Sequence, residues 1–470
     1  MKKNSHKRWS FFLCLLMVLS LTAVGCEKKC SDDEIFVPDQ EQTEGEGDAA
    51  DTQDTANAEE PAAEPETQTP ASVPEASGYT APEADTNVSY VVLGVGSDQS
   101  QVVLTWYGLS GNAGKAVVAK ASEMSGNTFP VTALLADSTI YSANYNGYNV
   151  NTATVTGLEP DTTYQYMVGN EEGWSAMHSF HTAKSGETNI LVTGDIQLGT
   201  GDDDAASIEN WKRISRETKE KFPEYNLHLN MGDVTTMPFE DHYINVLTSP
   251  MFTDYPTAVV LGNHDYANLY QMHFSRPNQS DFGARNELQN GNFWFRYGDT
   301  LFMELNFMIE SDDILIEHGY FIKQAIEANP DCKWKVVMMH YSPYSSVEKY
   351  QKYANENREY WLKVFDENDI DVVLNGHDHA YTRTYIIKNG QPQVTDATSV
   401  TNPDGTLYLT FGSASGSQYH DVSPMSVAAK CIQNNHPQMS TLNITDSSFK
   451  MTLYDADTWE VLDQFEIVKN

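Results

Sequence analysis

The residues best suited to chemistry in this 470-residue chain fall in five short blocks. They are Gly194-Asp195-Ile196-Gln197, Gly232-Asp233, Gly262-Asn263-His264-Asp265, Val337-Met338-Met339-His340 and Gly376-His377-Asp378-His379. A Gly-Asp pair or a lone His carries little information alone. All five in this order, with steps of 38, 30, 77 and 37 residues from Asp195 to Asp233, Asn263, His340 and His377, carry much more. Carboxylates neutralise and bridge cations, imidazoles bind borderline metals, and an amide oxygen adds a neutral hard ligand. Two neighbouring divalent or trivalent cations need that mixture. Such pairs lie about 3.5–4 Å apart and clamp both oxygens of an in-line phosphoryl displacement.

Each block closes a short apolar run, at 189–194, 227–231, 257–261, 335–339 and 371–374. Short and nearly continuous apolar runs suit strands buried on both faces. Helical patterns lie between them, at 208–222 and at 356–367, where Tyr360, Trp361, Val364 and Phe365 share one side. This alternation predicts an α/β fold, in which ligands gather outside the carboxyl ends of the strands. Glycine at each strand end lets the chain turn sharply there.

Residues 88–184 read differently. Val102, Leu104 and Trp106 alternate onto one face, and further strand patterns occur at 152–156 and 164–168. About 95 residues of this kind predict a β-sandwich. Leu158-Glu159-Pro160-Asp161-Thr162-Thr163-Tyr164 resembles the corner of fibronectin type III domains, and Trp106 takes the place of their core tryptophan.

The five blocks together resemble those of the calcineurin-like metallophosphoesterases. With the β domain in front and Gly376-His377-Asp378-His379-Ala380-Tyr381-Thr382-Arg383-Thr384, the chain is similar to the purple acid phosphatase branch over residues 88–470. The resemblance implies an α/β (α+β) four-layer β-sandwich flanked by helices at 185–470, behind an all-β fibronectin type III-like domain at 88–184. It implies two metal ions (Fe, Mn, Zn, Mg or Ca). Asp233 would bridge them, with Asn263, His340 and His377 completing one site and Asp195 and His379 serving the other. His264, oriented by Asp265, would assist the leaving group while a metal-bound hydroxide attacks phosphorus in line. The implied activity is hydrolysis of small phosphomonoesters. Phosphodiester hydrolysis is the alternative within the enzyme class, and an inactive cell-surface binding protein is the rival outside it.

The chain departs from the branch in two places. Thr236 stands where purple acid phosphatases carry a tyrosine ligand, and Gln197 stands where many metallophosphoesterases have a ligating His; we expect Gln197 to offer its oxygen to a metal. The histidine pair of the plant enzymes after the His340 block has no counterpart here. Tyr266, Tyr344, Tyr381 and Arg383 follow ligand blocks and are candidates for contacting substrate. His228, His242, His273, His318, His420 and His436 lack ligand spacing and read as structural or surface residues. Gly412-Ser413-Ala414-Ser415-Gly416 is a small-residue turn, not a phosphate-binding P-loop, since it lacks the Lys.

The net charge of −37 argues against nucleic acid as a partner, because phosphate backbones are bound by Lys and Arg. Residues 1–25 read as a signal peptide, with Lys2, Lys3, Lys7 and Arg8 ahead of a short apolar stretch. Ala23-Val24-Gly25-Cys26 resembles a lipoprotein signal, which implies an extracytoplasmic protein, either lipid-anchored to a membrane at Cys26 or secreted. Residues 26–87 read as a disordered acidic linker: from Ser31 to Asn87 there are 17 acids and no Lys, Arg or His. Residues 88–470 still carry −25. Cys332 and Cys431 are the two cysteines of the region expected to fold, and their pairing is left open by the sequence. Palmitate fed to expressing cells should label the full chain and leave a Cys26→Ala chain unlabelled on an autoradiograph.

Overall fold

The computed structural model describes residues 79–80, 83–200, 204–237, 239–265, 267–283, 292–306, 312–356 and 358–470. The signal segment and most of the acidic linker lie outside these residues. At the start of the described chain, Tyr79–Thr80 pairs with Thr128–Phe129, and the Asp85 N–H donates to the Trp174 carbonyl at 2.8 Å.

Two sheets face each other in the catalytic part. In the first, Glu187–Thr193, Leu227–Asn230 and Thr257–Val259 run parallel, with antiparallel Gln438–Thr445, Ser448–Asp455 and Val461–Val468 beyond. In the second, Thr300–Leu305, Trp334–Met339, Val372–Asn375 and Leu407–Thr410 run parallel. Between the sheets lies a core that includes Ile190, Leu229, Phe295, Trp334, Val336, Leu374, Leu409 and Met451. Helices cover both outer faces. Asp204–Lys221 buries Trp211, Ile214, Ser215 and Thr218, a helical repeat, and carries Asp204 in its first turn and Lys219 and Lys221 in its last. That charge placement complements the helix dipole. On the other face Arg358–Glu367 buries Trp361, Val364 and Phe365 against the second sheet. Four layers result, as the sequence patterns and the resemblance implied. Among the described residues no helix is long and apolar enough to cross a membrane.

The front domain is a β-sandwich with Val102, Leu104 and Trp106 in its core beside Tyr164 and Phe180. The Tyr164 hydroxyl accepts the Glu159 N–H at 2.8 Å, which closes the corner anticipated from the sequence. One feature was not anticipated. Val88–Val95 pairs in parallel with Thr257–Val259 through Thr257 and Gly94, so one sheet of the sandwich continues the first catalytic sheet into eleven strands among the described residues. Helix Glu240–Leu247 then packs under the join. The Tyr107 hydroxyl donates to Glu240 Oε1 at 2.6 Å, and His273 Nε2 lies 2.7 Å from Glu240 Oε2.

Arg383 and Tyr381 belong to this frame rather than to a substrate pocket. Arg383 is buried, and its Nε and Nη2 donate to Asp463 Oδ2 and Oδ1 at 2.6 and 3.0 Å. The Tyr381 hydroxyl donates to the same carboxylate at 2.9 Å. Arginine within reach of a buried carboxylate is held there because neither charge can return to water cheaply. Tyr344 is likewise corrected: it is buried in the helix-side core, with its ring 5.0 Å from that of Tyr408. Tyr266 lies outside the described residues. Cys332 and Cys431 are free thiols. Replacing Arg383 by Met should strand the Asp463 carboxylate and cost about 3–5 kcal/mol, read as a lower urea midpoint of the metal-free protein.

Candidate metal centre

Every ligand-type residue sits where a parallel strand ends. Asp195 and Gln197 follow Glu187–Thr193, Asp233 follows Leu227–Asn230, and Asn263 follows Thr257–Val259. From the facing sheet, His340 follows Trp334–Met339, and His377 and His379 follow Val372–Asn375. The two sheets thus present their carboxyl ends side by side, and seven side chains distant in sequence come together. Asp195, Gln197, Asp233, His377 and His379 have left-handed backbone, with φ of 27°, 36°, 52°, 71° and 49°. Such conformations cost about 1–3 kcal/mol each and persist where the surroundings over-determine them. The turns are packed against one another: a Cβ on Gly262 would lie 2.2 Å from Asp233 Oδ1, so only glycine fits there.

The hydrogen bonds fix what each ligand atom presents. His340 Nδ1 donates to the Met231 carbonyl at 2.7 Å, which leaves the Nε2 lone pair facing Asn263 Oδ1 at 3.1 Å and Asp233 Oδ2 at 3.2 Å. Acceptor facing acceptor at this distance calls for positive charge between them. One nitrogen or oxygen each from Asp233, His340 and His377 lies within 4.8 Å of the others. On the Asp195 side, the His377 N–H donates to both carboxylate oxygens at 2.9 and 3.0 Å, and His379 Nε2 lies 3.7 Å from Oδ1. Gln197 Oε1, Asp233 Oδ2 and His379 Nδ1 are buried atoms with no hydrogen-bond partner. Orphaned buried acceptors are costly, and a cation is the partner that satisfies several at once. The donor set therefore fits metal ions.

The electrostatics of the chain alone place protons among these acceptors. Burial alone would lower the His340 pKa, but the carboxylates of Asp233 and Asp195 outweigh it and hold the ring protonated well above the usual range. Burial drives Asp195 well above the ordinary carboxylate value. Burial, aided by the charge of His340, drives His377 well below the ordinary imidazole value, and burial with His420 nearby takes His379 down to about 3. Metal binding requires neutral imidazoles and ionised carboxylates, so His377 and His379 stand ready as ligands while a cation would displace protons from His340 and Asp195.

His264 stands beside this cluster, half-buried. Its N–H donates to Asp233 Oδ1 at 2.8 Å, and its Nδ1 bonds the Thr236 carbonyl at 3.1 Å. The expectation that Asp265 orients His264 is corrected here. Asp265 Oδ2 accepts the N–H groups of Asp233 and Gly262 at 2.7 and 3.0 Å, and Oδ1 accepts that of Val234 at 2.9 Å. It braces the turns that carry the ligands, whereas the backbone of Thr236 orients the imidazole. Thr236 also donates its hydroxyl to the Gln197 carbonyl at 3.3 Å, so the residue standing at the tyrosine position ties two turns together.

Three residues at the site were not identified from sequence. The Tyr341 ring lies 4.4 Å from that of His377, the Tyr350 ring 4.1 Å from it, and the His420 ring 5.2 Å from that of His379. His420 is thus a rim residue, not a remote one. Tyr341 was within reach of sequence reasoning, since it directly follows a ligand at a strand end. Tyr350 is delivered by a single 3-10 turn, Glu348–Tyr350, and His420 by a loop, and no local pattern encodes where either ends up.

Residues 188–381 match the family model described as calcineurin-like phosphoesterase, and residues 88–182 match the purple acid phosphatase N-terminal domain. Residues 188–381 are thus similar to the calcineurin-like phosphoesterases, and residues 88–182 to the N-terminal domain of purple acid phosphatases. The chain is 24% identical to an uncharacterized protein of Mycobacterium tuberculosis over 312 residues, 56% of this chain and 57% of the relative. It is 21% identical to purple acid phosphatase 18 of Arabidopsis thaliana, across 68% of this chain and 72% of the relative. It is 24% identical to human acid phosphatase type 7, across 56% and 64%. The purple acid phosphatase from yellow lupin seeds superimposes with a TM-score of 0.63 at 16% identity, covering 82% of this chain and 74% of that one. PhoD superimposes with a TM-score of 0.54 at 13% identity, covering 82% and 93%. The chain thus spans under two thirds of the mycobacterial and human relatives.

The two histidine and aspartate roles separate by experiment. His264→Ala should retain metal while turnover falls about 100-fold or more. Asp265→Ala should lose metal on dialysis and cost on the order of 3 kcal/mol, because charge-assisted backbone bonds disappear. Elemental analysis of both variants by mass spectrometry checks this; equal metal content in the two would contradict the bracing role.

Proposed function

We propose that this protein is an exported phosphoesterase with two metal ions that hydrolyses small phosphomonoesters. The observation that carries the reading is the convergence of side chains from Asp195, Asp233, Asn263, His340, His377 and His379, with the unpartnered Gln197 Oε1 on the Asp195 turn and His264 at their edge. Asp233, Asn263, His340 and His377 would hold one cation and Asp195, Gln197 and His379 the other, with Asp233 between them. Bound there, the cations neutralise charge on the ester oxygens and lower the pKa of water.

The remaining work falls to side chains of the chain itself. His264, with Nδ1 fixed on the Thr236 carbonyl, presents Nε2 as the position from which a proton reaches the departing oxygen. Its backbone N–H on Asp233 Oδ1 keeps that imidazole in register with the bridging carboxylate. Tyr341 and Tyr350 wall the His377 side, where they limit water access and the shape of the ester that fits. The name acid phosphatase, borne by the plant and human relatives, supports monoesters over diesters. Export and a lipid anchor at Cys26 are supported by the basic, apolar and small-residue order of residues 1–26.

p-Nitrophenyl phosphate should be hydrolysed by the purified full chain. EDTA should abolish this, and at least one of Mn, Zn, Fe, Mg or Ca should restore it. Bis(p-nitrophenyl) phosphate should turn over at least about tenfold more slowly, the equivalent of 1.4 kcal/mol in barrier. Preference for the diester would make the protein a phosphodiesterase. No turnover with any of the five metals would favour a binding protein.

A further inference from the structure

The turn that carries Asp195 and Gln197 is gripped by the small-residue segment that follows Leu407–Thr410 in the opposite sheet. Gly194 and Ser413 form an isolated parallel bridge, and the Ala414 N–H donates to the Gly194 carbonyl at 3.0 Å. A Cβ on Gly194 would lie 2.8 Å from the Gly412 carbonyl oxygen and 2.9 Å from that of Phe411, so only glycine lets these strand ends approach. Ser413 Oγ then donates to the Asp195 carbonyl at 2.9 Å, and Ser415 Oγ donates to the Ile196 carbonyl. Both serines are buried. Each hydroxyl is held in turn: Ser413 Oγ accepts the Gly416 N–H at 3.1 Å, and Ser415 Oγ accepts the Ser417 N–H at 3.1 Å.

The two gripped carbonyls belong to the two peptide units between Asp195 and Gln197. Both flanking residues are in left-handed backbone, with φ of 27° and 36°. A strained turn relaxes unless its peptide planes are fixed, and fixing the planes fixes the directions in which its side chains leave. Asp195 thereby leaves the turn toward His379, whose Nε2 lies 3.7 Å from Asp195 Oδ1, and Gln197 leaves it with its buried Oε1 unpartnered. We propose that Ser413 and Ser415 are positioning residues for the cation held by Asp195, Gln197 and His379, acting through the turn without touching the ion. This assignment rests on the two-cation reading of the site.

Metal-stripped full-length protein, Ser413→Ala and Ser415→Ala would each be titrated calorimetrically with MnCl2 and, separately, with ZnCl2. Circular dichroism in EDTA would verify the fold. Ser215→Ala, which removes a similarly buried hydroxyl in the helix Asp204–Lys221, is the control. The wild type and the control should take up two equivalents. Each serine variant should keep one step at wild-type affinity and weaken the other roughly 10–100-fold, as outer partners of metal ligands do. Two unchanged steps overturn the assignment, and so does equal weakening of both. If Ser413→Ala does not fold, Ser415→Ala decides alone. A wild-type chain that binds fewer than two equivalents overturns the two-cation reading and this assignment with it, a result distinct from either of the others.

Discussion

Acceptors that face one another in a buried place are the constraint on which the rest of this molecule depends. His340 Nε2 lies 3.1 Å from Asn263 Oδ1 and 3.2 Å from Asp233 Oδ2, and a neutral ring with Nδ1 donating to Met231 leaves no hydrogen between them. Bringing such groups out of water is unfavourable unless positive charge joins them. The protein meets that cost with backbone. Parallel strands from two sheets end at one place, left-handed turns redirect the chain there, and Asp265 gathers three N–H groups to keep the turns closed. Hydrophobic layers on either side are what make the strand ends immovable.

The candidate ligand residues stand out in the sequence because each strand that feeds the site is short and apolar, and four of the five end at a glycine. A buried strand has few polar residues, so the Asp, Asn or His at its exit stands out. His228 shows the same logic inside a strand: it bonds Thr193 Oγ1 and Thr257 Oγ1 on the neighbouring strands, and burial lowers its pKa to about 3. Partners far along the chain were not legible. Arg383 finds Asp463 eighty residues later, a pairing that only the stacking of two sheets produces. Nor could the sequence reveal that Asp265 would turn from its neighbour His264 toward backbone, since carboxylates accept from either with similar ease.

The site also shows how one substitution can move work from side chain to main chain. Where the purple acid phosphatase branch places a tyrosine, this chain has Thr236, whose hydroxyl and carbonyl serve Gln197 and His264 respectively.

The shared sheet gives the front domain a role independent of any ligand. Val88–Val95 covers Thr257–Val259, the last parallel strand before the Asn263 turn, and that strand is apolar on both faces. Were the front domain absent, its amide and carbonyl groups would form an open edge of the kind that recruits other strands into aggregates. The β-sandwich acts here as a permanent cap on a strand that cannot safely meet solvent. A catalytic fragment beginning near residue 185 would thus be limited by solubility before catalysis became the question.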